Sequence, residues 1–410
     1  MSDMPNGLLE DAGERLAEAV ALRRRIHRHP ELGLHLPATQ QAVLDALDGL
    51  PLSITPGRGV SSVVAVLDGD LPGPTVLLRA DMDALPIQEE TGLEFASVVD
   101  GAMHACGHDA HVAMLAGAAA VLARRRAAVR GRVVFAFQPG EEGHGGAQVM
   151  LDEDLLNTAA EGAEPVSLAF ALHQAPVMRA GTVATRAGAL MAAVDEFRIT
   201  VRGLGGHASM PHQARDPIPA LAALVTALQT MVTRRIDVFD PAVITVGRLS
   251  AGTAGTVIPE TATAWGTIRT VSAQTRDTVG RAVLTVAEGV AAAHGVTVEV
   301  DITRGSPVTV NGAAATHHVL GTVAALLGPE RVVTMPHPVM GGEDWGLILD
   351  RVEGAMAFLG TRPAGVSGAE AAPNHSGRMV LDEGAMAAGI AVHTAVALGW
   401  QGAIDRYGNP

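Results

Sequence analysis

The sequence predicts an α/β protein of two domains, one inserted into the other. Short Val/Leu-rich runs alternate with helical stretches over residues 1–190, as in a sheet covered by helices. A different order, β-α-β-β-α-β, occupies 191–304 and matches a split βαβ, ferredoxin-like unit. The first kind of patterning then resumes over 305–410. The length of 410 residues suits about two or three domains of ordinary size.

Taken in order, Leu8 to Ile26 is amphipathic with helical spacing, and the stretch HRHPELG, with Pro30 and Gly33, ends it. Ser62–Leu67 and Thr75–Arg79 are strand-length runs bounded by Gly and Pro. His108–Arg126 is Ala/Leu-rich and closes on an arginine cluster, where cations suit the negative end of a helix. Arg132–Phe137 and Ser167–Leu172 read as further strands. Inside the insertion, Val194–Val201 alternates like a half-buried strand. Pro219–Arg234 carries Leu221, Leu224, Val225, Leu228 and Val232 at helical spacing. Val243–Arg248 and Thr261–Arg269 are strands, Gln274–His294 is a second helix and Val296–Ile302 a last strand. After it, Ala355–Leu359 is a strand of the resumed α/β pattern.

Apolar types make up 48% of the chain and charged types 18%, so a sizeable core is expected. Aromatic residues are 3%, which points to a core of Ala, Val, Leu and Ile. The formal net charge is −14, and all 29 basic residues are arginine. Without lysine, a Schiff base to pyridoxal phosphate, a P-loop lysine and a lysine nucleophile are excluded. The acidic balance argues against a nucleic-acid partner. The single cysteine, Cys106, permits no internal disulfide, which fits a reducing compartment. The N-terminal MSDMPNGLLEDAGERLAEAV is acidic and amphipathic, reading as helix rather than signal peptide. The longest apolar run, around Val112–Ala123, is too short to cross a bilayer. A soluble, cytoplasmic protein with no membrane partner is expected. Against this background 16 histidines are a surplus.

Candidate metal ligands stand beside predicted strand or helix ends, where sites gather in open α/β sheets. Cys106 and His108 lie in MHACGHDAH, just before a helix. Glu141 and Glu142 follow the strand VVFAF, His173 follows SLAFAL, and His375 lies in PNHSG beyond the strand at Ala355–Leu359. Singly, each has an ordinary explanation: a buried small thiol, a satisfied imidazole, a solvated acidic pair. Jointly, thiolate, imidazole and carboxylate suit zinc, manganese, cobalt or nickel better than magnesium or calcium.

Six segments carry a family resemblance, in one order: RADMDALP (79–86), MHACGHDAH (103–111), FQPGEEGHGGA (137–147), ALHQAP (171–176), GGHASMPH (205–212) and MGGEDWG (340–346). Together they resemble the M20 metallopeptidases. The match is to the amidohydrolase branch of hippurate hydrolases, N-acyl-amino-acid amidohydrolases and auxin-conjugate hydrolases. The resemblance implies a zinc-exopeptidase-like catalytic domain over 1–190 and 305–410, with a lid and dimerisation domain at 191–304. It implies two divalent metal ions per subunit, with Cys106 bridging them as a thiolate and His108, Glu142, His173 and His375 completing the site. The usual upstream histidine is replaced by Asp81, and His108 takes over its coordination. Asp83 corresponds to an aspartate that orients a ligand. Glu141 would take a proton from the metal-activated water and pass it to the leaving amine. His207 would reach the partner subunit's site to steady the oxyanion, and Arg269 would bind the substrate carboxylate. Thr256 stands where the family usually has Asn, and it lacks that amide's paired donor and acceptor, which implies either a shifted substrate preference or a compensating neighbour. His111, one turn beyond His108 on the same helix face, is placed either to support it or to serve packing; His27, His29, His104, His144 and His212 receive no ligand role.

The expected activity is hydrolysis of N-acyl amino acids (acetyl, benzoyl or similar) to a carboxylic acid and a free amino acid. The expected form is a homodimer or higher homo-oligomer built through the lid. Two alternatives stand beside it: a dipeptidase or aminopeptidase of the same family, and a non-catalytic metal- or ligand-binding relative. The CGH triplet favours the acyl-amino-acid branch, and the presence of Glu141 disfavours a non-catalytic chain.

Overall fold

The structure is a computed structural model that describes residues 7–157 and 164–407. Residues 1–6 of the predicted N-terminal helical stretch lie outside the described residues. The chain divides into two compact units: 1–190, 310–337 and 347–410 form the first, and 191–309 with 338–346 form the second.

The first unit is built on an eight-stranded mixed sheet. Its strands run in the order Ser53–Pro56, Val63–Asp68, Arg130–Gln138, Leu71–Asp81, Val166–Arg179, Gly354–Arg362, Val183–Thr185 and Val332–Thr334. The four central strands are mutually parallel. Residues 75–81 and 133–138 are buried without alternation, as expected where both faces of a parallel sheet are covered. Helices Leu8–Arg28, His108–Arg124 and Met386–Tyr407 pack into one core with these strands. That core is aliphatic, with Phe135, Phe137, Phe170 and Trp400 as its aromatic members. Helix His108–Arg124 is buried along most of its length because its Ala and Gly residues let neighbouring helices approach closely.

Two local readings change. The strand expected to stop at Leu172 continues to Arg179, so His173 lies inside a strand. Pairing with Gly354–Arg362 carries it onward, through Phe358 beside His173 and Leu359 beside Gln174. The helix Pro37–Leu47 also had no counterpart in the sequence reading. Proline at its first position starts it, and Ala42, Val43 and Leu47 are its buried apolar positions.

The second unit has an antiparallel four-stranded sheet in the order Ala242–Ala251, Thr261–Thr270, Ala193–Arg202, Thr297–Arg304. With helices Pro217–Arg235 and Ala273–His294 this is the split βαβ arrangement. Phe197, Ile199, Val201, Ala262, Ala264 and Ile268 face the helices, at every second position of their strands. On the opposite face Trp265 lies between Arg198 and Arg248, whose guanidinium carbons are 5.7 and 4.5 Å from its ring centre. Asp216 and Ser272 cap the two helices by accepting from Ile218 N and Thr275 N. Among the described residues no helix is long and apolar enough to cross a membrane.

Candidate metal centre

Parallel strands that end together bring the candidate ligands of the first unit together. Asp81 closes the strand Leu71–Asp81, and Asp83 follows two residues later. Glu141 and Glu142 follow the neighbouring strand Arg130–Gln138, and His173 comes from the strand on the other side. His108 is the first residue of its helix. The amide of His375 donates to the carbonyl of Ala105 (2.9 Å), which ties its loop beside Cys106. His375 adopts φ +66°, a left-handed conformation uncommon for residues other than glycine. Such a backbone persists only where its surroundings hold it, and here the Ala105 contact does so.

Cys106, His108 and Glu142 offer donor atoms within 4.8 Å of one another, as do Asp81, His108, His111 and His173. Cys106 Sγ is 3.4 Å from His173 Nε2. Glu142 Oε1 is 3.2 Å from His375 Nε2 and 3.9 Å from His108 Nε2. His108 is fully buried, yet neither ring nitrogen makes a hydrogen bond, and neither does the buried Glu142 Oε1. Buried polar atoms are seldom left this way; a cation on the Nε2 side of His108 would satisfy that nitrogen and Glu142 Oε1, while Nδ1 faces Asp83.

Electrostatics point the same way. Burial alone would lower the pKa of His108, but Asp81 and then Cys106 reverse the effect and hold it well above the ordinary value. Contacts with Cys106 and Glu142 carry His375 up to about 10, against the opposing effect of burial. Burial pushes the Cys106 thiol up, against the pull of His108 and His375. Divalent cations held there would meet the same acidic groups that raise these imidazoles. The mixture of sulfur, nitrogen and oxygen donors fits zinc, manganese, cobalt or nickel.

His173 is prepared for coordination. Its Nδ1–H donates to the carbonyl of Gln174 (2.6 Å), which leaves the Nε2 lone pair facing Cys106. Burial, and then the neighbouring His111, hold it neutral. His111 has a different place from the one its spacing suggests. It donates from Nδ1 to Asp81 and accepts the Gln174 N–H at Nε2 (2.8 Å), so its support goes to Asp81 rather than His108. Arg79 holds the other oxygen of Asp81 at 2.6 Å. Burial would raise the Asp81 pKa, but Arg79 and the histidines hold it well below the usual carboxylate range.

Asp83 lies 3.5 Å from His108 Nδ1. Its two oxygens accept the backbone N–H groups of Glu141 and Glu142, each at 3.0 Å. One carboxylate thus faces the imidazole and fixes the turn that carries both glutamates. Asp83→Ala is expected to lower activity by roughly 10–100-fold, with a matching loss of metal affinity. Parallel kinetics and metal titration check this.

Beneath the helix of His108, Asp109 pairs with Arg23 (3.0 Å) and with His27 (2.8 Å), and His27 reaches Glu89 (3.2 Å). Burial would depress His27, but Asp109 and Glu89 outweigh it and carry its pKa to about 9. This raised value stabilises the fold fully below about pH 6.5. The contribution, on the order of a few kcal/mol, is lost as pH rises through about 9. No lysine titrates in that window. Melting of the metal-loaded protein from pH 7 to 10 should show this alkaline decline, and His27→Gln should flatten it.

The other two predicted site residues belong to the second unit. His207 is exposed in a two-residue strand paired with Val257–Ile258, and the carbonyl of Thr256 receives the Ala208 N–H at 3.1 Å. His207 Nδ1 accepts the backbone N–H of Ser209 (3.1 Å), so the neutral ring carries its proton on Nε2. Arg269 is half-buried and gives one N–H to the carbonyl of Met340 at 2.7 Å. Gln174, Arg79 and Asn374 carry no local sequence signal for a role at the site, because their roles depend on contacts across strands and loops.

Among known families, residues 77–399 match peptidase family M20/M25/M40. The chain belongs to that family. A thermostable carboxypeptidase 2 of Saccharolobus solfataricus is 35% identical over 400 residues, covering 97% of this chain and 98% of that protein. An N-acetylcysteine deacetylase of Bacillus subtilis is 38% identical over 343 residues, covering 83% and 88%. The crystal structure of a dinuclear metal-binding M20 peptidase from Bacillus subtilis matches with a TM-score of 0.80 at 32% identity. That match covers 95% of this chain and 99% of the other. As an M20 protein, this chain is a metal-dependent amide hydrolase.

Proposed function

We propose that this M20 protein hydrolyses the amide bond of N-acyl amino acids, releasing a carboxylic acid and a free amino acid. The observation that carries the reading is the display of Glu141 and Glu142 on one aspartate, Asp83, which also faces His108. Adjacent carboxylates held this way can divide their work, Glu142 toward metal and Glu141 toward water. Cys106 would bridge two divalent ions as thiolate, with His108, Glu142, His173 and His375 as the remaining ligands. Bound there, the ions supply Lewis acidity that lowers the pKa of water and polarises the substrate carbonyl.

Glu141 acts as base and then acid: it accepts a proton from the attacking water and delivers it to the leaving nitrogen. No nucleophilic serine or cysteine is required, so no acyl-enzyme forms. His207 presents its Nε2–H to the developing oxyanion in the partner subunit's site. The working form is therefore a homodimer or higher homo-oligomer through the second unit, a state that sedimentation can read. Arg269 clamps the substrate carboxylate with donors not given to Met340. His207→Ala is expected to cut kcat by roughly 10²–10³-fold. Metal content should stay unchanged, as measured on the loaded protein.

A free-amine assay of metal-loaded protein tests the substrate class. Its panel holds N-acetyl, N-benzoyl and longer N-acyl amino acids beside dipeptides and N-blocked dipeptides. Cleavage of the acyl amino acids supports the reading. Robust cleavage of free dipeptides alone would replace it with a dipeptidase, and no amine from any substrate would leave a binding protein. The N-blocked dipeptides examine the reaction named for the carboxypeptidase relative, which breaks the same kind of bond beside a terminal carboxylate.

A further inference from the structure

Gln174 is fully buried and touches every segment that bears a candidate ligand on its side of the site. Its side-chain Nε2 donates to the carbonyl of Cys106 (2.7 Å) and to Asn374 Oδ1 (2.6 Å). Its Oε1 accepts from the hydroxyl of Thr361 (2.8 Å). The Cys106 carbonyl can only accept, so the amide's orientation is settled. Both donors and the acceptor are thereby used, two of them on the residues flanking Gly107 and His375. The main chain of Gln174 meanwhile orients His173 and His111. Gly107 leaves the room: a Cβ there would lie 2.7 Å from the Gln174 side chain, and its φ of +80° already disfavours other residues.

We propose that Gln174 is a positioning residue: its amide clamps the Cys106 loop to the Asn374–His375 turn and so sets the spacing of two metal ligands. The inference rests on the metal-site assignment proposed above. Cys106 and His375 are 269 positions apart in sequence. Apart from the His375–Ala105 backbone bond, the Gln174 bridge is what joins their two loops through hydrogen bonds to neighbouring residues. Without that clamp, the exposed turn of His375 keeps only its backbone bond to Ala105 and its own side-chain contacts as ties to the rest of the site.

The test compares wild type with Gln174→Met, which preserves length and volume but donates nothing. Gln174→Glu, which keeps the acceptor for Thr361 but sets carboxylate oxygen against two acceptors, is the second comparison. Zinc affinity is read by competition with a chelator, and thiolate coordination by the sulfur-to-metal charge-transfer band of the cobalt-loaded protein. Both variants are expected to bind zinc roughly 10–100-fold more weakly, with a changed cobalt spectrum. A residue that only fills space would leave Gln174→Met at wild-type affinity and spectrum, and that result overturns the inference. If Gln174→Met does not fold, Asn374→Ala, which removes one arm of the clamp, decides: weakened zinc binding supports the clamp, wild-type binding overturns it. A wild-type protein that binds neither zinc nor cobalt would instead sink the metal-site reading itself.

Discussion

Glu141→Gln is expected to cut turnover by about 10²–10⁴-fold while the protein keeps its metal. The substitution removes a carboxylate that can accept and return a proton but preserves the side chain's length. It also leaves intact the backbone N–H that Asp83 holds at 3.0 Å. Proton transfer by a positioned carboxylate contributes about 10²–10⁴-fold. At 1.36 kcal/mol per factor of ten, the loss corresponds to about 3–5 kcal/mol of barrier. Metal content by elemental analysis should match wild type, because Glu142 and the imidazoles are untouched. Near-native turnover in this variant would remove Glu141 from the proton pathway. Equal loss of metal and activity would instead assign it to the ligand set.

The second large effect concerns Cys106. Cys106→Ser replaces a thiol that can ionise with a hydroxyl that does not, and so withdraws the proposed bridging anion. Activity is expected to fall by more than about 10³-fold, since the two ions lose their shared ligand. Dialysis against a chelator should silence the wild type equally. Zinc or manganese should restore the wild type and leave the serine variant inactive. The pH dependence has a definite sign. Burial holds the thiol above its ordinary pKa, so metal must displace a proton to bind, and affinity should rise with pH. Affinity that is flat from pH 6 to 9 would mean that the thiol is not a ligand. The same reasoning makes oxidation of this single thiol a direct route to inactivation.

Much of the site was legible because its chemistry is local. Cys106 and His108, or Glu141 and Glu142, sit two residues or one apart at the end of a strand or the start of a helix, and unusual residue types at such places stand out. The helix of residues 8–28 and the sheet of the inserted unit were equally plain, since the 3.6- and 2-residue periods are written in their apolar positions. His173 was less plain: the strand through it ends where its partner Gly354–Arg362 ends, and pairing of that kind is not a property of one segment. His111 is a similar case. Helical spacing turns it toward His108, but the strand that ends in Asp81 comes from elsewhere in the chain.

The sequence by itself determined the family, the two kinds of patterning, and a set of donor types that suits zinc, manganese, cobalt or nickel better than magnesium or calcium. Composition and short motifs suffice for these, because they depend on which residues are present and on their near neighbours. Only the tertiary structure decided the tautomers of His111, His173 and His207, the sharing of Asp83 between two glutamates, and the clamp at Gln174. Each is a hydrogen bond with one required donor and one required acceptor, several of them between residues far apart in sequence. A buried polar group must take whichever partner the packed backbone brings within reach.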